Sequence, residues 1–322
     1  MGIYLGLDTS NYTSSAAVFD SDSFLAAEER MLLPVKAGEL GLRQSDAVFH
    51  HTVQLPIVMQ KLFSRYEGGV KINAVGASAR PRDVEGSYMP CFLVGEGTAK
   101  SIASAACLPS AFFSHQAGHI AAALFSAKRL DLAERAFIAF HVSGGTTEAV
   151  LTKPDDEKIL SCEEIMSSLD LKAGQAVDRL GNMLGFPFPS GKFVDAAAKQ
   201  STAEFKINIK LKDGCCSLSG VQNKCEEMKK RGERDEDVCR FCIEYIAAAL
   251  DKMAEYALGK FGDLPLVFSG GVMSNSIIRE RFIKKYGAVF AEPSLSSDNA
   301  VGIAVLTAMY FERKNFKGRE LK

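Results

Sequence analysis

One pattern recurs in this chain, and it limits the possible folds more than any other feature. Near the start, "IYLGLDTSNYTSSAAVFD" reads as an apolar strand, a small polar turn and a second strand. At residue 137 the pattern returns as "FIAFHVSGGTTEAVLTK". A third strand follows in each case, "SFLAAEERML" in the first and "KILSCEEI" in the second. Laying Thr13-Ser14 over Thr146-Thr147 aligns the two stretches. A repeat of this long period predicts two related α/β lobes and not a solenoid. With 322 residues there is enough chain for a sizeable core in each.

The intervening segments supply helices. "SDAVFHHTVQLPIVMQKLFSRYE" predicts a long helix with a kink at Pro56. "INAVGASA" is a strand, "GEGTAKSIASAACL" a helix, and "SAFFS" a short strand leading into the helix "HQAGHIAAALF". Residues 200–236 are charged and broken by Gly214 and Gly220, and read as a short hairpin and loop. Then come the helix "VCRFCIEYIAAALDKMAEYAL", the strand and glycine turn "LPLVFSGGVMSN", and the helix "SIIRERFIKKY". "DNAVGIAVLTAMYFE" is a last apolar helix, and "RKNFKGRELK" reads as a frayed basic tail.

Charge and cysteine usage exclude several classes. The net charge is −1, so no global field draws nucleic acid. RNA contact needs a local patch, for which Lys206, Lys210, Lys212 and Lys224 are candidates, or a partner; a solvated hairpin face is the other reading of those lysines. No apolar run approaches the ~18 residues of a membrane helix, and the start lacks a signal-peptide pattern, so a cytoplasmic protein is expected. The eight cysteines are irregularly spaced, and Cys239-x-x-Cys242 falls within a predicted helix, so buried, idle thiols are expected.

Three turns have the chemistry of phosphate or nucleotide loops. "LDTSNYTS" presents Asp8, Thr9 and Ser10 after a strand. "VSGGTT", residues 142–147, has paired glycines that admit close backbone approach. "SGGVMSN" joins a strand to a helix whose N-terminus can favour a phosphate. His115 and His119 sit four residues apart, so one helix face would carry both. That spacing suits one metal ion or a structural pair; Gln116 removes the carboxylate of a zinc protease. Asp298 is a possible third ligand and equally a plain helix N-cap.

Taken together, "GLDTS", "SHQAGH", "VSGGTTE", "VDRLGNMLGFPFPSG", "SLSG", "SGGVMSN" and "SSDNA" resemble the TsaD family, the tRNA threonylcarbamoyladenosine synthases formerly described as O-sialoglycoprotein endopeptidases or peptidase M22. The resemblance runs from about residue 3 to about 310. It implies an α/β, two-lobed actin/hexokinase/Hsp70-like (ASKHA) fold with duplicated ribonuclease-H-like lobes, residues 1–134 with 296–322 forming one and 135–295 the other. It implies transfer of a threonylcarbamoyl group from threonylcarbamoyl-AMP to the adenosine next to a tRNA anticodon. His115, His119 and Asp298 match the metal ligands, for iron or zinc. His141, Val142, Ser143, Gly144 and Gly145 match a substrate-binding segment; Asp178 and Gly191 match the ribose side and Asn275 the purine side, and the glycine turn at Gly270 and Gly271 is expected to hold the nucleotide with that at Gly144 and Gly145. ATP is the other nucleotide such a site could take. The partners implied are tRNA and TsaB- and TsaE-like subunits.

The chain departs from the family pattern near the transfer chemistry. Tyr12 and Thr13 stand where the family has an acidic pair, Ala117 where it has a glutamate, and Thr146 where it has a histidine. "SARPRDVEGSYMP" replaces a Gly-Pro-Gly segment. No catalytic residue is assigned; Asp8 and Ser10 are the candidates left in the first turn. Alongside an active transferase stand a non-catalytic, nucleotide- and metal-binding subunit and a carbamoyl or acyl transferase with another acceptor.

Overall fold

Strand β1 (Ile3–Ser10) is buried over nearly its whole length, as a central strand covered on both faces must be. The computed structural model describes residues 2–10, 12–34, 42–295 and 299–313. It divides into two compact units, Met1–Arg135 with Lys153–Cys162 and Ser294–Lys322, and Ala136–Thr152 with Glu163–Pro293.

In the first unit β1 pairs antiparallel with β2 (Thr13–Asp20), which pairs antiparallel with β3 (Leu25–Leu32). After helix α1 (Gln44–Phe63), strand β4 (Ile72–Arg80) lies parallel to β1. Helix α2 (Phe92–Ala106) leads to β5 (Ser110–Ser114), parallel to β4. The sheet order is β3-β2-β1-β4-β5. Helix α3 (His115–Ser126) follows β5 directly. α1 continues through Pro56, with Leu55, Val58 and Leu62 buried on its inner face.

The second unit repeats this order. β6 (Phe137–Val142) pairs antiparallel with β7 (Thr147–Asp155), and β8 (Ile159–Ser167) completes the meander. Helices α4 (Ala173–Met183), α5 (Gly191–Ala198), α6 (Ser219–Lys230) and α7 (Asp235–Phe261) precede β9 (Leu266–Ser269), which is parallel to β6. Helix α8 (Ser276–Tyr286) and the short β10 (Val289–Phe290) complete the order β8-β7-β6-β9-β10. Helix α9 (Val301–Phe311) belongs to the first unit.

The duplication is therefore real, but its phase differs by one residue from the alignment made by eye. Thr13 and Thr147 are the residues that open the second strand of each hairpin, paired with Ser10 and Val142. The second turn is longer, which shifts the match. The loop expected over 200–236 contains α6, whose Val221, Cys225 and Met228 are buried at helical spacing beneath a polar surface. In place of the hairpin there are two isolated bridges among the described residues, Lys212 with Cys215 and Cys216 with Ser168.

Packing assigns the faces of the first sheet. Leu5 and Leu7 join one cluster with Leu55, Val58 and Leu62 of α1 and Ala99 of α2. Side chains alternate along a strand, so Tyr4, Gly6 and Asp8 face the other way. There Tyr4 donates to Glu312 at 2.6 Å, and Gly6 abuts the backbone of Ala300 and Ala304. Asp8 thus emerges at the end of the face covered by α9. In the second unit Phe268 stacks with Phe140 and Phe290, centroids 4.8 and 5.1 Å apart. Burying one such ring contributes about 1.5–3 kcal/mol.

Candidate functional site

In the first unit the site is built around α3. Ser114 ends β5 and caps the helix, accepting from the Ala117 N–H at 3.2 Å. His115 is the first helical residue, and His119 lies one turn on; their ring centroids are 4.3 Å apart. Asp8, fully buried, accepts from Ser78 and lies 3.0 Å from His115 Nδ1. A carboxylate on Nδ1 fixes the ring and commits Nε2 to any metal, the usual second partner of a ligating histidine. Asp8 therefore stands as an orienting group for His115. Ser10 is buried and its hydroxyl has no hydrogen-bond partner.

Two imidazoles this close, one of them held by a carboxylate, fit a divalent transition metal as two nitrogen donors. Asp298 lies outside the described residues. Among the described residues no three His, Cys, Asp or Glu side chains form a metal-sized group.

His51, on α1, is fully buried, with Nδ1 2.8 Å from Ser14 Oγ. Burial pushes its imidazole down from 6.5 to about 4. The folded state thus favours the neutral ring, whereas the unfolded chain takes up a proton from pH 6.5 downward. The stability this contributes is present above pH 6.5 and is lost as pH falls toward 4. Urea midpoints measured across that window are expected to fall, and to fall less in His51→Gln; identical slopes would remove His51 as the cause.

The second unit holds a cavity of about 540 Å³ lined by Gly144, Asp178, Gly191, Lys192, Gly271 and Asn275 among others. This brings together five of the residues expected to bind nucleotide. Asp178 Oδ1 accepts from the Ser190 N–H at 2.9 Å and ties the α4–α5 loop. Asn275 caps α8, its Oδ1 accepting from the Ile278 N–H at 3.1 Å, while its buried Nδ2 has no partner. A buried amide donor left over from a cap is suited to an acceptor on a ligand.

The other expected residues stand apart from that cavity. Val142 is core, and His141 Nδ1 lies 3.1 Å from Ser269 Oγ. Ser143 closes the β6–β7 turn through Thr146. A side chain added at Gly145 would meet open space. Gly270 differs: at φ +98 a Cβ would lie 2.3 Å from the Val142 carbonyl, so this glycine is fixed by the turn itself.

The N-terminus of α8, expected to favour a phosphate, already carries a carboxylate. Asp195 accepts from both the N–H and the hydroxyl of Ser276 at 3.1 Å. A carboxylate already sits where an anion would bind. Asp195 and Lys192 also line the cavity, and no motif in the sequence pointed to them. The C-x-x-C thiols are buried in α7, and burial pushes Cys239 up to about 12, which leaves it unreactive.

The model of a family described as TsaD, tRNA N6-adenosine threonylcarbamoyltransferase, matches residues 39–305. The chain belongs to the TsaD family. It is 32% identical over 243 residues to the tRNA N6-adenosine threonylcarbamoyltransferase of Streptococcus agalactiae serotype V, covering 71% of this chain and 70% of that one. The same enzyme of Streptococcus mutans serotype c is 29% identical over 327 residues, covering 94% and 92%. Among solved structures, full-length HypF in a phosphate- and nucleotide-bound form superposes with a TM-score of 0.60 at 14% identity, covering 100% of this chain and 56% of that one. A ROK family glucokinase from Streptomyces griseus gives 0.52 at 12%, covering 96% and 100%. These likenesses place this TsaD member in the actin/hexokinase-like fold class. Among its described residues no helix is long and apolar enough to cross a membrane.

Proposed function

We propose that this chain transfers a threonylcarbamoyl group from threonylcarbamoyl-AMP to an adenosine of tRNA next to the anticodon. Family membership supplies the reaction class, and the observation that carries the site is Asn275. Its buried Nδ2 lacks a partner at the wall of a cavity that Asp178, Gly144 and Gly191 also line. Adenine offers ring-nitrogen acceptors, and the Asp178 carboxylate suits ribose hydroxyls. His115 and His119, with Asp298, would hold iron or zinc. Bound there, the metal supplies Lewis-acid polarisation of the acyl group. Asp8 holds the His115 ring in the orientation such a ligand needs.

Asn275→Ser separates binding from structure. Serine keeps a cap acceptor but removes the Nδ2 donor. Thermal stability is expected to hold, while affinity for a stable threonylcarbamoyl-AMP analogue falls about 5–10-fold, the effect of one hydrogen bond. Calorimetry measures it; unchanged affinity would take Asn275 out of the site. Transfer itself is tested with threonylcarbamoyl-AMP, unmodified tRNA and TsaB- and TsaE-like subunits, followed by nucleoside mass spectrometry. Nucleotide binding without the modified nucleoside would favour a binding subunit, in keeping with Tyr12 and Thr13.

A further inference from the structure

Residues 204–211, "EFKINIKL", carry the sequence pattern of a strand and pair with none of the described strands. Exposure alternates residue by residue, the period of extended chain. Phe205, Ile207, Ile209 and Leu211 pack on the core of the second unit, with Phe205 edge-on to Phe241 at 5.2 Å. Glu204, Lys206, Asn208 and Lys210 are exposed, and Lys212 continues that face. Both ends are tied, by Ala203 N–H to Ser201 Oγ at 3.1 Å and by Lys212 N–H to the Cys215 carbonyl at 2.9 Å. Between them, no backbone N–H or carbonyl of residues 204–211 bonds to any described residue. Buried backbone groups are almost always paired, so these are solvated.

We propose that residues 204–211 are a docking strand, which an extended acidic segment of a protein partner joins by edge pairing. The apolar anchors have already fixed the chain, so pairing costs little further ordering here. The exposed lysines choose the partner. A second copy aligned antiparallel about Asn208 would set Lys206 against Lys210, and like charges directly opposite are destabilising. Carboxylates at alternate positions would instead meet Lys206, Lys210 and Lys212. RNA phosphates could meet the lysines, but they offer no donors for the row of open carbonyls, so the backbone favours a peptide.

The test uses the full-length chain and a seven-residue peptide alternating glutamate and valine. Saturating peptide is expected to slow amide exchange at residues 204–211 at least about tenfold. Lys206→Glu with Lys210→Glu, both on the exposed face, should weaken the peptide about tenfold. Backbone N-methylation of the peptide at alternate residues should abolish binding, because it removes the ladder donors. No protection at saturation, or equal binding of the N-methylated peptide, would overturn the proposal. So would loss of tRNA affinity in the double variant with peptide binding unchanged, which would make the lysines an RNA contact.

Discussion

Replacing His115 with alanine is expected to strip the metal from the protein while leaving α3 in place. The helix keeps its Ser114 cap and its buried apolar face from Ile120 to Leu124. What it loses is one of two nitrogen donors whose rings lie 4.3 Å apart. Metal affinity should fall by at least about 100-fold, and transfer by about 10²–10³-fold with it. A stability loss of about 1–3 kcal/mol should accompany this, because Asp8 is fully buried and loses a partner. Asp8→Asn is the graded companion: both donors remain, but the ring is no longer fixed by a carboxylate, and affinity should drop about 10–100-fold. Metal analysis of anaerobically purified protein and chelator competition read both effects. Equal metal content in wild type and His115→Ala would remove the histidine pair from the account.

Gly302→Ala should be the most damaging single methyl in the first unit. A Cβ there would lie 1.8 Å from the Gly118 carbonyl and 2.8 Å from the Ala122 nitrogen. These are backbone atoms, so no side chain can swing aside. α9 and α3 must separate, yet α9 is also pinned on its other side, where Gly6 of β1 abuts Ala300 and Ala304. Overpacking of this kind costs about 3 kcal/mol, at the upper end of its range. The expected fall in Tm is about 10 °C. Amide exchange should quicken in α3 and α9 before the rest of the unit. Metal affinity should fall too, since α3 carries both histidines. Gly144→Ala is the control, with nothing within reach of its Cβ. If Gly302→Ala melts with wild type, the close crossing of α3 and α9 is not what holds the histidine helix.

The departures from the family pattern leave the architecture in place. Tyr12 is partly exposed in the first turn, and Thr13 opens β2 opposite Ser10. Neither supplies a carboxylate to that turn. Asp8, the carboxylate on β1 beside it, is engaged with Ser78 and His115.

The sequence by itself determined what depends on local period. Alternating and continuous apolar runs specified the strands, and their recurrence specified that the lobe is duplicated. Spacing of four placed His115 and His119 on one face of α3. α6 was lost to its charges, because three buried residues among twelve leave little periodic signal. Tertiary structure alone decided the pairings made across long stretches of chain. Asp8 meets His115 from 107 residues away, because both emerge on the face that α9 covers. Asp195 reaches Ser276 from 81 residues away and takes the α8 terminus that looked ready for a phosphate. Residues 204–211 have the alternation of a strand but pair with no described strand. A sequence pattern reports the conformation each residue prefers and the face it buries. Which group then stands opposite is set by how the faces pack, and no local period records that.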